Sequence, residues 1–463
     1  MKTLSTVLIL FFLTLTLTAQ DIAGDWHGML KVQGVQLRLV FHIQEEGEGY
    51  TTTMDSPDQG AKGIPVTSTS FEHPTLKIGM PNLGIVYEGT LNEAGTITGD
   101  FNQYGQILPL ELSREVPEKG TVLRPQEPVK PYPYYTEEVT FTNKKANVEL
   151  AGTLSLPQQE GVFPTVVLIS GSGPQNRDEE LFGHRPFLVL ADYLTKNGIA
   201  VLRYDDRGTA LSTGNFNSAT SRDFAEDVTA AVSFLKTRKE IDKNNIGLIG
   251  HSEGGIIAPM VASSSQDITF IVLMAGVGIP GDELLLLQQR AIGKVSGFSD
   301  DMLMDIEMAN RTVFSMIKES TDLTQLSSDL TQYLKEHPDK SKPAGVEADT
   351  YAQLKVDQLL SPWWLNFIRY DPAIALEEVQ CPVLAINGEK DLQVLPKQNL
   401  VAIKAALERG GNQKLTIKEL PGLNHLFQES STGSPAEYGQ LSQTLAPEAL
   451  DTILTWIQKQ VRP

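Results

Sequence analysis

The stretch Gly250-His251-Ser252-Glu253-Gly254 constrains the fold of this chain more than any other part of it. Before it runs Asn245-Ile246-Gly247-Leu248-Ile249, a short apolar segment of the kind that forms a strand buried in a parallel sheet. After it runs Gly255-Ile256-Ile257-Ala258-Pro259-Met260-Val261-Ala262, small and apolar, suited to a helix lying on that sheet. A serine at such a strand-to-helix turn takes up a strained backbone that lifts its hydroxyl clear of the sheet. Gly250 and Gly254 are needed because a side chain at either position would collide with the turn. The helix that begins here aims N–H groups and its dipole at the place where an oxyanion would form. The five-residue pattern alone recurs by chance, but a strand before it and a helix after it make it a nucleophile elbow.

The 463 residues are enough for two or three domains with their own cores. Lysine and arginine total 38 against 57 acidic residues, a net charge of −19, which argues against nucleic acid or an anionic membrane surface as partner. Cys381 is the single cysteine, so neither an intrachain disulfide nor a cysteine-based metal site can form. Residues 1–20 have the grammar of an export signal: Lys2, an apolar stretch from Val7 to Leu17 broken only by Thr14 and Thr16, and Ala19 at the cleavage point, with Leu17 a poor fit at −3. The stretch is short for a membrane span, and no cysteine follows it to carry a lipid. The expectation is an exported protein, periplasmic or secreted, with no stable membrane anchor after signal removal.

Residues 21–115 read as a small antiparallel β-barrel or sandwich. Val35, Leu37, Leu39, Phe41 and Ile43 share one strand face, and Asn92-Glu93-Ala94-Gly95 joins two further strands as a hairpin loop. Gly24-Asp25-Trp26 is similar to the G-x-W opening of lipocalin-type barrels, with the tryptophan expected to plug the barrel end. Residues 116–135 carry prolines at 117, 125, 128, 131 and 133, which predicts an extended linker or a strap along the second domain. From residue 136 to 463 apolar strands alternate with amphipathic helices, the pattern of a mostly parallel α/β sheet. Residues 281–370 interrupt it with helical sequence, too long for an ordinary loop, and read as a cap over the elbow.

A serine needs a base to take its proton, and the base needs an orienting carboxylate. Both should lie in loops at the carboxyl ends of parallel strands. Asn387-Gly388-Glu389-Lys390-Asp391 and Pro421-Gly422-Leu423-Asn424-His425 follow two predicted strands, giving the order Ser252, Asp391, His425. Glu389 is the competing acid, and Asp391 is preferred because it lies deeper in the loop. His251, read as pointing elsewhere, His184 and His337 compete less well with His425 as the base. Glu253 and Ser172 should supply the two oxyanion N–H donors, the latter from the loop Ser170-Gly171-Ser172-Gly173-Pro174. Gly171, Gly173, Trp363 and Trp364 are candidate substrate contacts, and no metal site is expected.

With Arg203-Tyr204-Asp205-Asp206-Arg207-Gly208, read as a structural loop, these motifs make residues 138–463 resemble the α/β-hydrolase superfamily, in particular bacterial serine carboxylesterases of the EstD type. The resemblance implies Ser252 as nucleophile, Asp391 as acid, His425 as base, a cap and no cofactor; it does not reach residues 21–113. The expected function is an exported serine carboxylesterase acting on short to medium acyl esters of a small-molecule substrate. A serine peptidase or acyl-aminoacyl hydrolase, a thioesterase, and a ligand-binding protein with a vestigial hydrolase domain stay open as alternatives. The sequence carries no statement about oligomeric state.

Overall fold

The computed structural model describes residues 22–32, 35–47, 49–57, 61–103, 106–117, 123–337 and 348–461. Residues 1–20, read above as an export signal, lie outside them, as does part of the proline-rich segment. The chain divides into two compact units, the first made of residues up to 118 apart from 31–36, the second of 119 onward with 31–36.

In the first unit the strands are β1 (Gly24–Val32), β2 (Val35–Glu46), β3 (Gly49–Ser56), β4 (Ala61–Pro65), β5 (Ser68–Glu72), β6 (Thr75–Met80), β7 (Ile85–Leu91), β8 (Ile97–Gln103) and β9 (Gln106–Ser113). They form one antiparallel sheet in the order β4-β3-β2-β1-β9-β8-β7-β6-β5. The sheet curls until its ends approach: Thr69 Oγ1 on β5 donates to Thr52 Oγ1 on β3 at 2.8 Å. The curl encloses alternate residues, with Leu39, Phe41 and Ile43 of β2 and Leu76, Ile78 and Met80 of β6 all buried. The 92–95 turn closes as its sequence predicts, Gly95 N–H donating to Asn92 O and Thr96 N–H to Asn92 Oδ1, both at 3.1 Å. Trp26 is buried, donates Nε1–H to Ile22 O at 2.7 Å, and carries the Arg114 guanidinium 4.0 Å over its ring, so it closes the fold locally.

The second unit is an eight-stranded sheet: β10 (Tyr135–Asn143), β11 (Val148–Leu156), β12 (Phe163–Ile169), β13 (Ala200–Tyr204), β14 (Ile241–His251), β15 (Phe270–Met274), β16 (Val383–Gly388) and β17 (Leu415–Leu420). The order is β10-β11-β13-β12-β14-β15-β16-β17, antiparallel at β10-β11-β13 and parallel from β13 onward. Helices α1 (Pro186–Lys196), α2 (Ser221–Leu235) and α3 (Gly254–Ser264) connect the first parallel strands. Then come α4 (Gly281–Val295), α5 (Asp300–Glu319), α6 (Leu323–Glu336), α7 (Ala348–Leu359) and α8 (Pro362–Arg369), followed by α9 (Ala373–Leu376), α10 (Pro396–Arg409), α11 (Pro435–Tyr438) and α12 (Pro447–Gln460).

Both faces of the parallel sheet are covered, which is why its strands read as unbroken apolar runs. Along β12, Val167 and Ile169 join the cluster under α2 and α3, while Val166 and Leu168 join the one under α1 and α12. Helices α4 to α8 are the cap, with a core of their own that includes Leu286, Phe314, Ile317, Leu330 and Val356.

The proline-rich segment is not a free spacer where it is described. Arg124 donates to Gly439 O at 2.8 Å, to Gly183 O at 3.2 Å and also to Leu441 O. Gln126 donates to Leu445 O at 2.6 Å and accepts from Thr444 N–H, also at 2.6 Å. The extended chain thus forms a strap, because proline-restricted backbone offers its neighbouring side chains at little entropic cost. Arg124→Ala is expected to lower the unfolding free energy by about 1–3 kcal/mol, the scale of a lost charge-assisted hydrogen bond with carbonyls left unpaired. Urea unfolding followed by circular dichroism checks this, and an unchanged midpoint would show the strap to be unanchored in solution.

Candidate active site

The elbow forms because the chain passes very close to itself. A Cβ on Gly250 would lie 2.0 Å from Gly254 O, and one on Gly254 would lie 2.2 Å from Ile169 O at the end of β12. Between them Ser252 is held at φ +53, left-handed backbone that non-glycine residues rarely adopt. Its N–H donates to Met274 O and its carbonyl accepts from Gly255 N–H, each at 2.9 Å. The strained turn is therefore pinned on both sides, by β15 and by the first turn of α3.

Two loops from neighbouring strands meet beside it. The carboxylate of Asp391, just past β16, is buried; Oδ1 accepts from Gln393 N–H and Val394 N–H, and Oδ2 faces His425 Nδ1, all at 2.8 Å. Glu389 is exposed and accepts from Gly422 N–H at 2.9 Å, so it braces the two loops and does not approach the imidazole. His425, buried just past β17, thus has one ring nitrogen fixed by a carboxylate. The Ser252 hydroxyl makes no hydrogen bond among the described residues.

The other histidines sort clearly. His184 is buried between Thr444 Oγ1 and Tyr438 O, each 2.9 Å away, and burial pushes it down to about 4, so it is a neutral structural residue. His337 caps α6 in the open. His251 differs from the expectation that it points away. Its ring centre lies 4.8 Å from that of His425, with Nε2 at 3.1 Å from His425 O and Nδ1 at 2.9 Å from Glu179 Oε1. Burial lowers its proton affinity, but the Glu179 carboxylate and the hydrogen bonds outweigh it, leaving His251 above the usual imidazole range.

The loop 170–175 lies against the serine, since a Cβ on Gly171 would sit 3.2 Å from Ser252 Cβ. The Gly171 N–H is already committed to Glu179 Oε1 at 2.7 Å, so this expected substrate contact has no free donor. The N–H groups of Ser172 and Glu253 donate to none of the described residues. Gly173 sits at φ +98 and carries the loop's sharp bend. Asp206 fastens the loop, accepting from Ser170 Oγ at 2.9 Å and Gln175 N–H at 3.0 Å, and its burial raises the carboxyl well above the ordinary range. The 203–208 stretch therefore shapes the site from behind.

On the cap side, Trp363 Nε1 donates to both oxygens of buried Glu253, at 2.9 and 3.0 Å, and Ser221 Oγ donates to Glu253 Oε1 at 2.6 Å. Burial raises the Glu253 carboxyl, and these two donors pull it part of the way back. Trp363 stacks on Phe367 at 4.8 Å, while Trp364, the other expected substrate contact, packs into the cap's own core. Sequence reasoning missed Glu179, Asp206 and the Trp363–Glu253 bond. Nothing in Asp178-Glu179-Glu180 marks the middle residue as the buried one. Among the described residues no three or more histidine, cysteine or acidic side chains gather as a metal site would require.

The profile of the Hydrolase_4 family, described as serine aminopeptidase, S33, matches residues 185–430, more than half of the chain and including Ser252, Asp391 and His425. The chain belongs to the Hydrolase_4 family. It is an α/β-hydrolase and a serine hydrolase. This Hydrolase_4 chain is similar to Esterase EstD of Thermotoga maritima, with 26% identity over 329 residues covering 71% of this chain and 70% of that protein. It is also 31% identical over 124 residues to an acyl transferase of Photorhabdus luminescens, covering 27% of this chain and 37% of that one. Among solved structures, an esterase of Pyrococcus furiosus aligns at 17% identity and TM-score 0.41, covering 70% of this chain and 93% of that one.

Because His251 is raised above the ordinary value of 6.5, its share of stability is fully present below about pH 6.5 and is lost as pH rises through the raised folded value. The melting temperature of the wild type should therefore exceed that of His251→Gln most at about pH 6, with the gap narrowing towards about pH 9. Differential scanning fluorimetry across that range checks it; a gap that widens with pH would mean a neutral His251.

Proposed function

We propose that the protein is an exported serine carboxylesterase acting on short to medium acyl esters, with Ser252 as nucleophile, His425 as base and Asp391 as orienting acid. The observation that carries the reading is the 2.8 Å Asp391–His425 bond beside a serine held at φ +53. Ser252 Oγ attacks the ester carbonyl while His425 Nε2 takes its proton, and Asp391 steadies the resulting imidazolium. The tetrahedral oxyanion is met by the uncommitted N–H groups of Glu253 and Ser172. His425 returns the proton to the leaving alcohol, and water then releases the acid from the acyl-enzyme. The Ser252–His425 hydrogen bond closes as substrate fills the site, since such bonds are often loose in free enzymes.

The substrate class rests on the walls beside the elbow. Ile256, Val277, Ile279, Leu284, Phe367 and Val394 form one apolar cluster joining α3, the loop after β15, the cap and the loop that carries Asp391. In this reading the cap-side edge of that apolar packing receives the acyl chain, each methylene it buries contributing about 0.8 kcal/mol. The cap that encloses the elbow is what would limit the length of that chain. The similarity to Esterase EstD supports the same class. The aminopeptidase description of the family favours a second reading, an acyl-aminoacyl hydrolase, because the same triad cleaves amides. Export rests on the grammar of residues 1–20; among the described residues no helix is long and apolar enough to cross a membrane.

A panel of p-nitrophenyl esters of rising acyl length, run beside aminoacyl anilides, tests this reading. Peak kcat/KM is expected on short to medium acyl groups; peak activity on long chains, or anilides outrunning esters, would overturn it. Ser252→Ala and His425→Ala should each abolish turnover in a folded protein. Asp391→Ala should cost about 10²–10⁴-fold in kcat, and Glu389→Ala less than about threefold. A larger loss for Glu389→Ala would reverse the choice of acid.

A further inference from the structure

We propose that His251 and Glu179 form a buried imidazolium–carboxylate pair that positions the oxyanion loop and the His425 loop around Ser252. A neutral imidazole has one N–H donor and one acceptor nitrogen. Both partners of His251 are acceptors: the Glu179 carboxylate at 2.9 Å from Nδ1 and the His425 backbone carbonyl at 3.1 Å from Nε2. Glu179 Oε1, which already accepts the Gly171 N–H, meets Nδ1 as an acceptor, so both nitrogens are served only if both carry hydrogen, which makes the ring a cation with Glu179 as its counter-charge.

Burial raises the stakes, because an unpaired charge in such a place is costly and a matched one is kept only when its geometry and hydrogen bonds offset desolvation. His251 and Glu179 are 4% and 1% exposed. Phe187 and Leu190 of α1, Met274 of β15 and Phe427 line the same small hollow with apolar side chains. The titratable groups that face the ring are Glu179 from the loop before α1, Asp391 from the loop after β16 and the His425 imidazole itself. The direction of the His251 proton affinity, raised despite burial, agrees with the geometry.

The pair ties three segments together. Glu179 Oε1 also accepts the Gly171 N–H at 2.7 Å, so one carboxylate oxygen fixes the turn that presents Ser172. His251 belongs to β14 and is joined to Ser252 by one peptide bond. Its Nε2–H grips the carbonyl of the residue proposed as base. Glu179 holds this position at φ +51, strained backbone for a glutamate that the surrounding contacts must outweigh. The His251 ring also packs beside the His425 ring, their centres 4.8 Å apart, so the pair sets the position of both the backbone and the side chain of that residue.

The protonation claim does not depend on the esterase reading; only the kinetic arm rests on it. Long-range 1H–15N correlation spectra of the full-length chain labelled with 15N-histidine report the state of each ring directly. The His251 ring is expected to show both nitrogens protonated at pH 7, a signal distinguished by substitution from that of His42, which also lies between two carboxylates, those of Asp25 and Asp55. That signal should vanish in His251→Gln and turn into a single neutral tautomer in Glu179→Gln. A His251 signal with one bare nitrogen in the wild type overturns the proposal. Should His251→Gln fail to fold, the perturbation of that signal by Ser252→Ala supplies the assignment. In the kinetic arm Glu179→Gln should lower kcat about 10- to 100-fold with KM within about threefold, the size expected when reacting groups are misplaced. An unchanged kcat in a folded Glu179→Gln, or a loss carried equally by KM, would overturn the positioning role. A wild type without esterase activity but with the cationic signal would sink the function and leave the pair standing.

Discussion

The close approach of backbone at the end of β14 is the constraint on which the remaining geometry depends. With about 2 Å separating the missing Cβ positions of Gly250 and Gly254 from neighbouring carbonyl oxygens, the strand can turn into α3 only by the strained route through Ser252. The parallel register carries that constraint outward. Ile169 pairs with Gly250, and Gly250 with Leu273, so β12, β14 and β15 end level with one another. On the far side Gly388 pairs with Leu420, and the loops after β16 and β17 emerge at the same edge. Five successive loops are thus delivered to one rim, where strand carboxyl ends of an α/β sheet place their chemistry.

What holds these loops in place is a set of buried carboxylates, each joining segments far apart in sequence. Asp391 joins its own turn to His425, Asp206 joins Ser170 to Gln175, and Glu253 joins Ser221 on α2 to Trp363 on the cap. Glu179 joins Gly171 to His251. A buried carboxylate is tolerated only when its oxygens are satisfied, and satisfying them fixes the donors. The same acids that could destabilise the fold therefore stiffen the rim. The excess of acidic residues in the composition is in part this internal scaffold.

The central strands and the Ser252, Asp391 and His425 loops were legible because parallel strands buried on both faces read as continuous apolar runs ended by glycine or asparagine. Strands β3 to β6 and β10 were not. In Tyr135–Asn143 only Val139 and Phe141 alternate against threonine and glutamate, too sparse a pattern at a sheet edge. The hydrogen bonds that matter most were hidden for another reason. His251 and Glu179 are 72 residues apart, and Trp363 and Glu253 are 110 apart, so periodicity cannot pair them. The sequence could not tell Trp363 from Trp364, because adjacent tryptophans on a helix look alike but face different neighbours, one the elbow and the other the cap core. The proline-rich stretch likewise hides its anchors, since Arg124 and Gln126 find partners more than 300 residues away.

The central claim is that the strained elbow presents a serine able to form an acyl-enzyme. Incubating the full-length protein with a fluorophosphonate and mapping the adduct by peptide mass spectrometry tests it most directly. A single stoichiometric adduct on the peptide containing Ser252, absent after Ser252→Ala and slowed strongly by His425→Ala, is the predicted result. A folded wild type that takes no adduct, or takes it at another residue, would contradict the account.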